Sequence, residues 1–180
     1  MNNNLEAEIQ SLLSALTLEQ KIGHMVMGRG LSRFPDETQA MIRAGRMTNI
    51  QAGIGPDEPA QLKAIQETMP LPMLVGSDME RGFTGTYLRG TAMPCALALG
   101  ALDDEQAAYD CAEMIAREAQ AYGVNMVYGP VVDFATNPEN PMGNTRLFGS
   151  DPDRIIRLAA AMIRGYQDNG MLVSAKHYPN

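Results

Sequence analysis

A chain of 180 residues, 45% apolar and 19% charged, is long enough to bury one domain core and too apolar for a disordered segment. Its 14 Lys and Arg stand against 21 Asp and Glu for a formal charge of -7, and without clustered basic residues no nucleic-acid partner is expected. The residues before Met25 are polar and acidic, with no basic start leading into an apolar stretch of signal length and no bilayer-length run further on, so the expected location is the cytoplasm, with no membrane partner. Cys95 and Cys111 suit two buried, reduced thiols, and no cofactor or metal is expected.

In chain order, Thr17-Leu18-Glu19-Gln20 has the form of a capping box and starts a short helix. Ile22 to Gly28 then reads as the first strand, with His24 inside it as a core histidine and Gly28-Arg29-Gly30 as the outgoing turn. Asp36 caps a helix that ends near Gly45, Asn49 to Gly55 forms a weak second strand, and Asp57 with Pro59 opens a helix to about Thr68. Pro72 to Ser77 is a short buried strand that delivers Asp78-Met79-Glu80-Arg81-Gly82 at its carboxyl end, and a loop containing Gly and Thr continues to Met93-Pro94.

The clearest helix is capped by Asp103 or Asp104, carries Ala108, Cys111, Ala112, Ile115, Ala119 and Tyr122 on one face, and ends at Gly123. Val124 to Val132 is the fourth strand, ending at Asp133. A long loop holds Asn137-Pro138, Asn140-Pro141 and Arg146. Asp151 then caps a helix with Pro152 at its first position, an apolar face of Ile155, Leu158, Ala159, Met162, Ile163 and Tyr166, and a stop at Gly170. Met171 to Ala175 is the fifth strand and runs directly into Lys176-His177-Tyr178-Pro179. The 14 methionines suit gap filling in the core. No linker divides the chain, so residues 1–180 form one domain.

Strands alternating with helices predict an α/β fold with a parallel sheet, either an open doubly wound sheet or part of an eight-stranded barrel, and periodicity does not choose between them. The first strand-to-helix turn lacks the glycine fingerprint of a dinucleotide fold, which weakens the open-sheet reading. In both architectures ligands sit at the carboxyl ends of the strands, where Asp78, Glu80, Asp133, Lys176 and His177 fall. Carboxylates accept and Lys, Arg and His donate hydrogen bonds, a set suited to a polyhydroxylated or anionic ligand. Each residue also has a plain structural account: Asp78 as a loop or cap carboxylate, Arg146 as a surface ion pair, Lys176 and His177 as a strand end entering solvent. Adjacent strand residues point to opposite faces, so Lys176 and His177 face one cavity only with a local distortion, for which a cis bond before Pro179 is one candidate.

Taken together, Asp78-Met79-Glu80-Arg81-Gly82, Pro130-Val131-Val132-Asp133, Asn137 to Pro141, Arg146-Leu147-Phe148-Gly149 and Lys176-His177-Tyr178-Pro179, beginning from Leu16-Thr17-Leu18-Glu19-Gln20-Lys21-Ile22-Gly23, resemble in order and spacing the N-terminal barrel domain of glycoside hydrolase family 3. That family includes β-glucosidases and β-N-acetylhexosaminidases. The resemblance implies a TIM-type (β/α)8 barrel of which about the first five βα units lie in residues 1–180, leaving two open sheet edges. It implies a small carbohydrate substrate and retaining hydrolysis of terminal β-linked sugars, of β-N-acetylhexosaminidase or β-glucosidase type. Asp78 would accept from sugar hydroxyls, Arg146, Lys176 and His177 would donate to them, and Glu80 and Asp133 would support these groups, Asp133 by orienting Arg146 or nearby backbone.

Retaining hydrolysis needs a nucleophilic carboxylate and a proton donor about 5 Å away. The family resemblance places the nucleophile on a later barrel strand and the acid/base just after the Lys-His motif or in a following domain, so residues 1–180 are expected to contain neither. Three places depart from the family pattern. Arg81 replaces the first of two glycines after the acidic pair, Thr145 stands where a glycine commonly precedes the arginine, and Tyr178 and Asn180 differ from the Lys-His-Phe-Pro-Gly-His-Gly of many hexosaminidase-type members. The alternatives are a catalytically inactive fragment or carbohydrate-binding barrel lacking the nucleophile and, if the motifs coincide by chance, an open α/β small-molecule binding protein.

Overall fold

The structure, a computed structural model, describes residues 3–29, 35–52, 58–69, 71–85, 90–137 and 139–178. Helix α1 (Asn3–Ala15) comes first, and its Leu5, Ile9, Leu12 and Leu13 lie 41–51% exposed along one side. Helix α2 (Leu18–Gly23) begins with the expected capping box, in which Thr17 Oγ1 accepts from the Gln20 amide at 3.2 Å and Gln20 Oε1 accepts from the Thr17 amide at 2.9 Å. The helix continues through Ile22 and Gly23, so the first strand is only β1 (Met27–Arg29) and not Ile22 to Gly28. Gly23 explains the difference, because a Cβ there would lie 2.0 Å from the Gly45 carbonyl oxygen: a glycine is needed where the helix end meets the next helix's terminus. His24 therefore caps a helix instead of filling a strand, with Nδ1 2.8 Å from Thr48 Oγ1.

Helix α3 (Pro35–Arg43) has Asp36 in its first turn, where the carboxylate complements the dipole, and Gly45 follows it at φ +68. Strand β2 (Asn49–Gln51) is shorter than expected, and helix α4 (Glu58–Gln66) follows; Gly30, Asp57 and the remainder of the expected second strand beyond Ala52 lie outside the described residues. Strand β3 (Leu74–Ser77) is buried over its last three residues. Helix α5 (Ala96–Leu102) has no counterpart in the sequence reading; it is capped by no side chain and ends at Asp103 in a left-handed conformation, φ 55. Asp104, not Asp103, caps helix α6 (Glu105–Ala121), accepting from the amides of Gln106 and Ala107. Strand β4 (Met126–Val131), helix α7 (Pro152–Asp168, capped by Asp151) and strand β5 (Leu172–Lys176) complete the order.

All four strand pairings are parallel and the sheet order is β1-β2-β3-β4-β5. The sheet curls: the Tyr128 hydroxyl on β4 donates to Met27 Sδ on β1 at 2.7 Å, although flat strands three places apart are separated by about 14 Å. Gly76 on β3 lies between them, and a Cβ there would meet the Tyr128 oxygen at 2.2 Å. A parallel sheet curled with helices outside is the first five strands of a (β/α)8-type barrel. Among the described residues its edges, β1 and β5, pair with no further strand, and Met27 and Leu172 on them are exposed.

The main core lies between sheet and helices, with Ile42 of α3, Ile50 of β2, Leu62 and Ile65 of α4, Val75 of β3 and Ile115 of α6. A second cluster joins Leu99 of α5, Phe148, and Ile155 and Leu158 of α7. Met47, Met73, Met79 and Met171 are buried, whereas Met25, Met114 and Met142 are exposed, so the methionines fill gaps only in part. Both cysteines are free and half-buried, less enclosed than expected. Among the described residues no helix is long and apolar enough to cross a membrane.

Candidate active site

The carboxyl ends of β3, β4 and β5 converge on one cluster. Asp78 and Glu80 follow β3 by one and three residues, while Lys176 is the last residue of β5, two strands away. Curling of the sheet brings Lys176 Nζ within 2.6 Å of Asp78 Oδ1 and 2.7 Å of Glu80 Oε1. The Lys176 side chain is 15% exposed and that of Asp78 is 50% exposed, so the cation sits beneath and the Asp78 carboxylate opens to the mouth.

Arg146 enters from the loop between β4 and α7, at the end of a short 3-10 turn, Asn144–Arg146. Its guanidinium meets Glu80 in a two-pronged pair, Nε to Oε2 at 2.7 Å and Nη2 to Oε1 at 2.8 Å, and Nη1 donates to the Met142 carbonyl at 3.1 Å. Burial raises the Glu80 pKa, but hydrogen bonds and charge from Arg146 and Lys176 outweigh it and hold the carboxyl down at about 2. The hydrogen bond to Glu80 raises the Arg146 pKa against its own burial. Glu80 is thus an anionic hub that fixes the positions of two cations.

Asp133, just past β4, orients nearby backbone, one of the two roles expected of it, and also meets the ring of His177. Its Oδ2 lies 2.6 Å from His177 Nδ1, its Oδ1 accepts from the His177 amide at 2.8 Å, and its charge adds to the raising of the Arg146 pKa. The placement follows from register, since β4 and β5 are neighbours and Val131 pairs with Lys176, leaving Asp133 beside His177. With Nδ1 donating to a carboxylate, Nε2 of a neutral His177 is an acceptor, and it donates only as imidazolium. The expectation that His177 is simply a donor is narrowed accordingly.

Lys176 and His177 turn to different carboxylates, and the peptide bond between them is cis, as is Gly129–Pro130. The bond before Pro179, Pro138 in the long loop and Asn180 lie outside the described residues. Tyr178 is 89% exposed.

Two further groups border the cluster without having been picked out from the sequence. Gln51, the last residue of β2, donates Nε2 to Asp78 Oδ2 at 3.2 Å and accepts from Arg29 Nε at 3.4 Å. A polar residue at the carboxyl end of a barrel strand was the signal available for it. Tyr128 lies on the inner face below, its pKa raised by burial and by the charge of Asp78. Among the described residues no group of three His, Cys, Asp or Glu is placed to hold a metal ion.

Carboxylates alternating with fixed cations at the carboxyl ends of curled parallel strands form a site that accepts from and donates to several hydroxyls at once, as in barrel proteins that act on small polyhydroxylated ligands. The family description "Glycosyl hydrolase family 3 N terminal domain" matches residues 17–180, and the chain belongs to that family. A Cellulomonas fimi protein named β-N-acetylglucosaminidase/β-glucosidase is 34% identical over 123 residues, covering 68% of this chain and 22% of that protein. Among solved structures, the β-glucoside phosphorylase BglX superposes with a TM-score of 0.84 at 28% identity over 100% of this chain and 32% of its own. A glycoside hydrolase family 3 β-N-acetylglucosaminidase from Paenibacillus sp. str. FPU-7 gives 0.80 at 33% identity over 92% and 34%. The chain therefore spans about a fifth to a third of the length of these relatives.

Proposed function

We propose that this chain forms the sugar-binding half of the active site of a retaining β-glycosidase, acting on terminal β-linked N-acetylglucosamine or glucose. The observation that carries this reading is the Asp78, Lys176, Glu80, Arg146 cluster, in which one half-exposed carboxylate is presented on a rigid base of paired charges. Such a base holds its donors and acceptors in place before the ligand arrives, so little ordering remains to be done on binding. Family membership and relatives named for both sugars support the substrate class. The nucleophile and the acid/base come from parts of the enzyme outside residues 1–180, and this chain's own residues bind and orient the sugar.

The test uses the protein that carries this domain with 4-nitrophenyl β-N-acetylglucosaminide and 4-nitrophenyl β-glucoside. The expected result is release of a β-configured sugar, followed by proton NMR, and loss of at least about 100-fold in kcat/KM for Asp78→Ala. Turnover unaffected by that substitution would reject the site. The inactive-fragment reading predicts sugar binding with no turnover.

A further inference from the structure

Arg81 and Thr145, two residues at which the sequence reads as unlike the family it resembles, touch each other. Arg81 Nη2 donates to Thr145 Oγ1 at 2.8 Å. The two residues immediately flank Glu80 and Arg146, so this contact runs beside the Glu80–Arg146 pair at the outer edge of the cluster. The backbone at Arg81 is itself fixed: its carbonyl accepts from the Met93 amide at 3.0 Å, and Gly82 bridges to Ala92.

The charge balance of this edge is uneven. Glu80 is already matched by Arg146 and Lys176, whereas Arg81, which is exposed, forms no ion pair among the described residues. Its fixed partner is a neutral hydroxyl. A hydroxyl sets the direction of a guanidinium without cancelling its charge, and one contact leaves most of the five donors of the fork unused. In a chain of net charge -7, an oriented cation with no carboxylate partner among the described residues, beside a ligand cluster, is a local attraction for anions.

We infer that Arg81, held by Thr145, is a specificity-determining residue that receives an anionic oxygen group of the substrate, a carboxylate, lying outside the sugar hydroxyls taken by Asp78 and Lys176. The carboxylate belongs either to the leaving group or to a uronic acid sugar. This inference rests on the reading of the cluster as a sugar site.

The experiment compares isosteric pairs on the protein that carries this domain: 4-carboxyphenyl against 4-carbamoylphenyl β-glycosides, and phenyl β-glucuronide against phenyl β-glucoside. The expected result is that one anionic member is favoured over its neutral partner. Arg81→Gln should lower kcat/KM for that member by about 5- to 30-fold, with neutral glycosides unchanged within about twofold. Thr145→Val should give a smaller loss in the same direction, and added salt should shrink the preference. The pair that responds identifies the source of the carboxylate. No response in either pair, or an equal loss on charged and neutral substrates, overturns the inference, and the equal loss would mark the contact as purely structural. Calorimetric binding of the same pairs keeps the outcomes separate: an Arg81-dependent preference in binding without turnover would reject the hydrolase reading and leave this inference standing.

Discussion

Replacing Glu80 with Gln keeps its size and removes the charge that Arg146 and Lys176 share. Three contacts of 2.7, 2.8 and 2.7 Å are weakened at once, two to Arg146 and one to Lys176, and the amide nitrogen of glutamine turns a donor toward one of the two cations. The displacement of the Glu80 pKa from 4.5 to about 2 corresponds to at most roughly 3 kcal/mol by linkage. Partial exposure of the three side chains screens this, and about 1–2 kcal/mol is the expected loss at pH 7. The sign follows from the depressed value: the stabilisation is complete above pH 4.5 and disappears as pH falls through about 2. Urea unfolding of wild type and Glu80→Gln, followed by circular dichroism at a series of pH values, should show a difference that is constant near neutrality and shrinks between pH 4.5 and 2. A difference below about 0.3 kcal/mol at pH 7, or one that stays constant through the acid range, would refute the hub assignment.

Asp133→Asn should reduce monosaccharide affinity about tenfold with under about 1 kcal/mol lost in stability, because it disturbs the ring orientation of His177 and not the core; isothermal titration of the variant checks this, and unchanged affinity contradicts it. Gly100→Ala should cost about 2–3 kcal/mol, since its Cβ would fall 1.8 Å from the Phe148 carbonyl oxygen, an immovable backbone atom; an unfolding midpoint equal to wild type would show that α5 does not pack as described. Leu158→Ala, at a residue with no exposed surface in the second cluster, should cost about 2–5 kcal/mol in the same assay, and a loss under about 1 would place α7 differently.

Where local chemistry decides, the sequence reads well. Helices α6 and α7 follow from Asp104, Asp151 and Pro152 at their starts and from amphipathic faces that the core absorbs, including Ala108, Ile115, Ile155 and Leu158. The errors fall where contacts distant in sequence decide. The run from Ile22 to Gly28 is apolar enough for a strand, and only the approach of Gly45 to Gly23 shows that Ile22 and Gly23 close a helix. Helix α5 has no capping side chain and exists through its packing on Phe148, while α1 leaves Leu5, Ile9, Leu12 and Leu13 exposed, so no buried face marks it as part of the core.

The site divides in the same way. Strand-end positions draw attention to Asp78, Glu80, Lys176 and His177, and the family resemblance gives them, with Arg146 in the loop, their roles at a sugar site. Their pairing could not be picked out, because it depends on sheet register and curl: Asp133 meets His177 across neighbouring strands, and Lys176 reaches Asp78 across β4. Gln51 was missed since an amide at the end of a weak strand carries no motif, and the Arg81–Thr145 contact was visible only as two separate oddities.

The central claim is that the cluster at the ends of β3 and β5 holds a sugar. A crystal structure of the protein that carries this domain, grown with N-acetylglucosamine or glucose, tests it most directly. The account predicts the sugar at the mouth, with hydroxyls within about 3.2 Å of the Asp78 carboxylate and of Lys176 Nζ, and the Glu80–Arg146 pair intact beneath it. A sugar bound elsewhere with Asp78 untouched, or a ligand that breaks the Glu80–Arg146 pair, would contradict it.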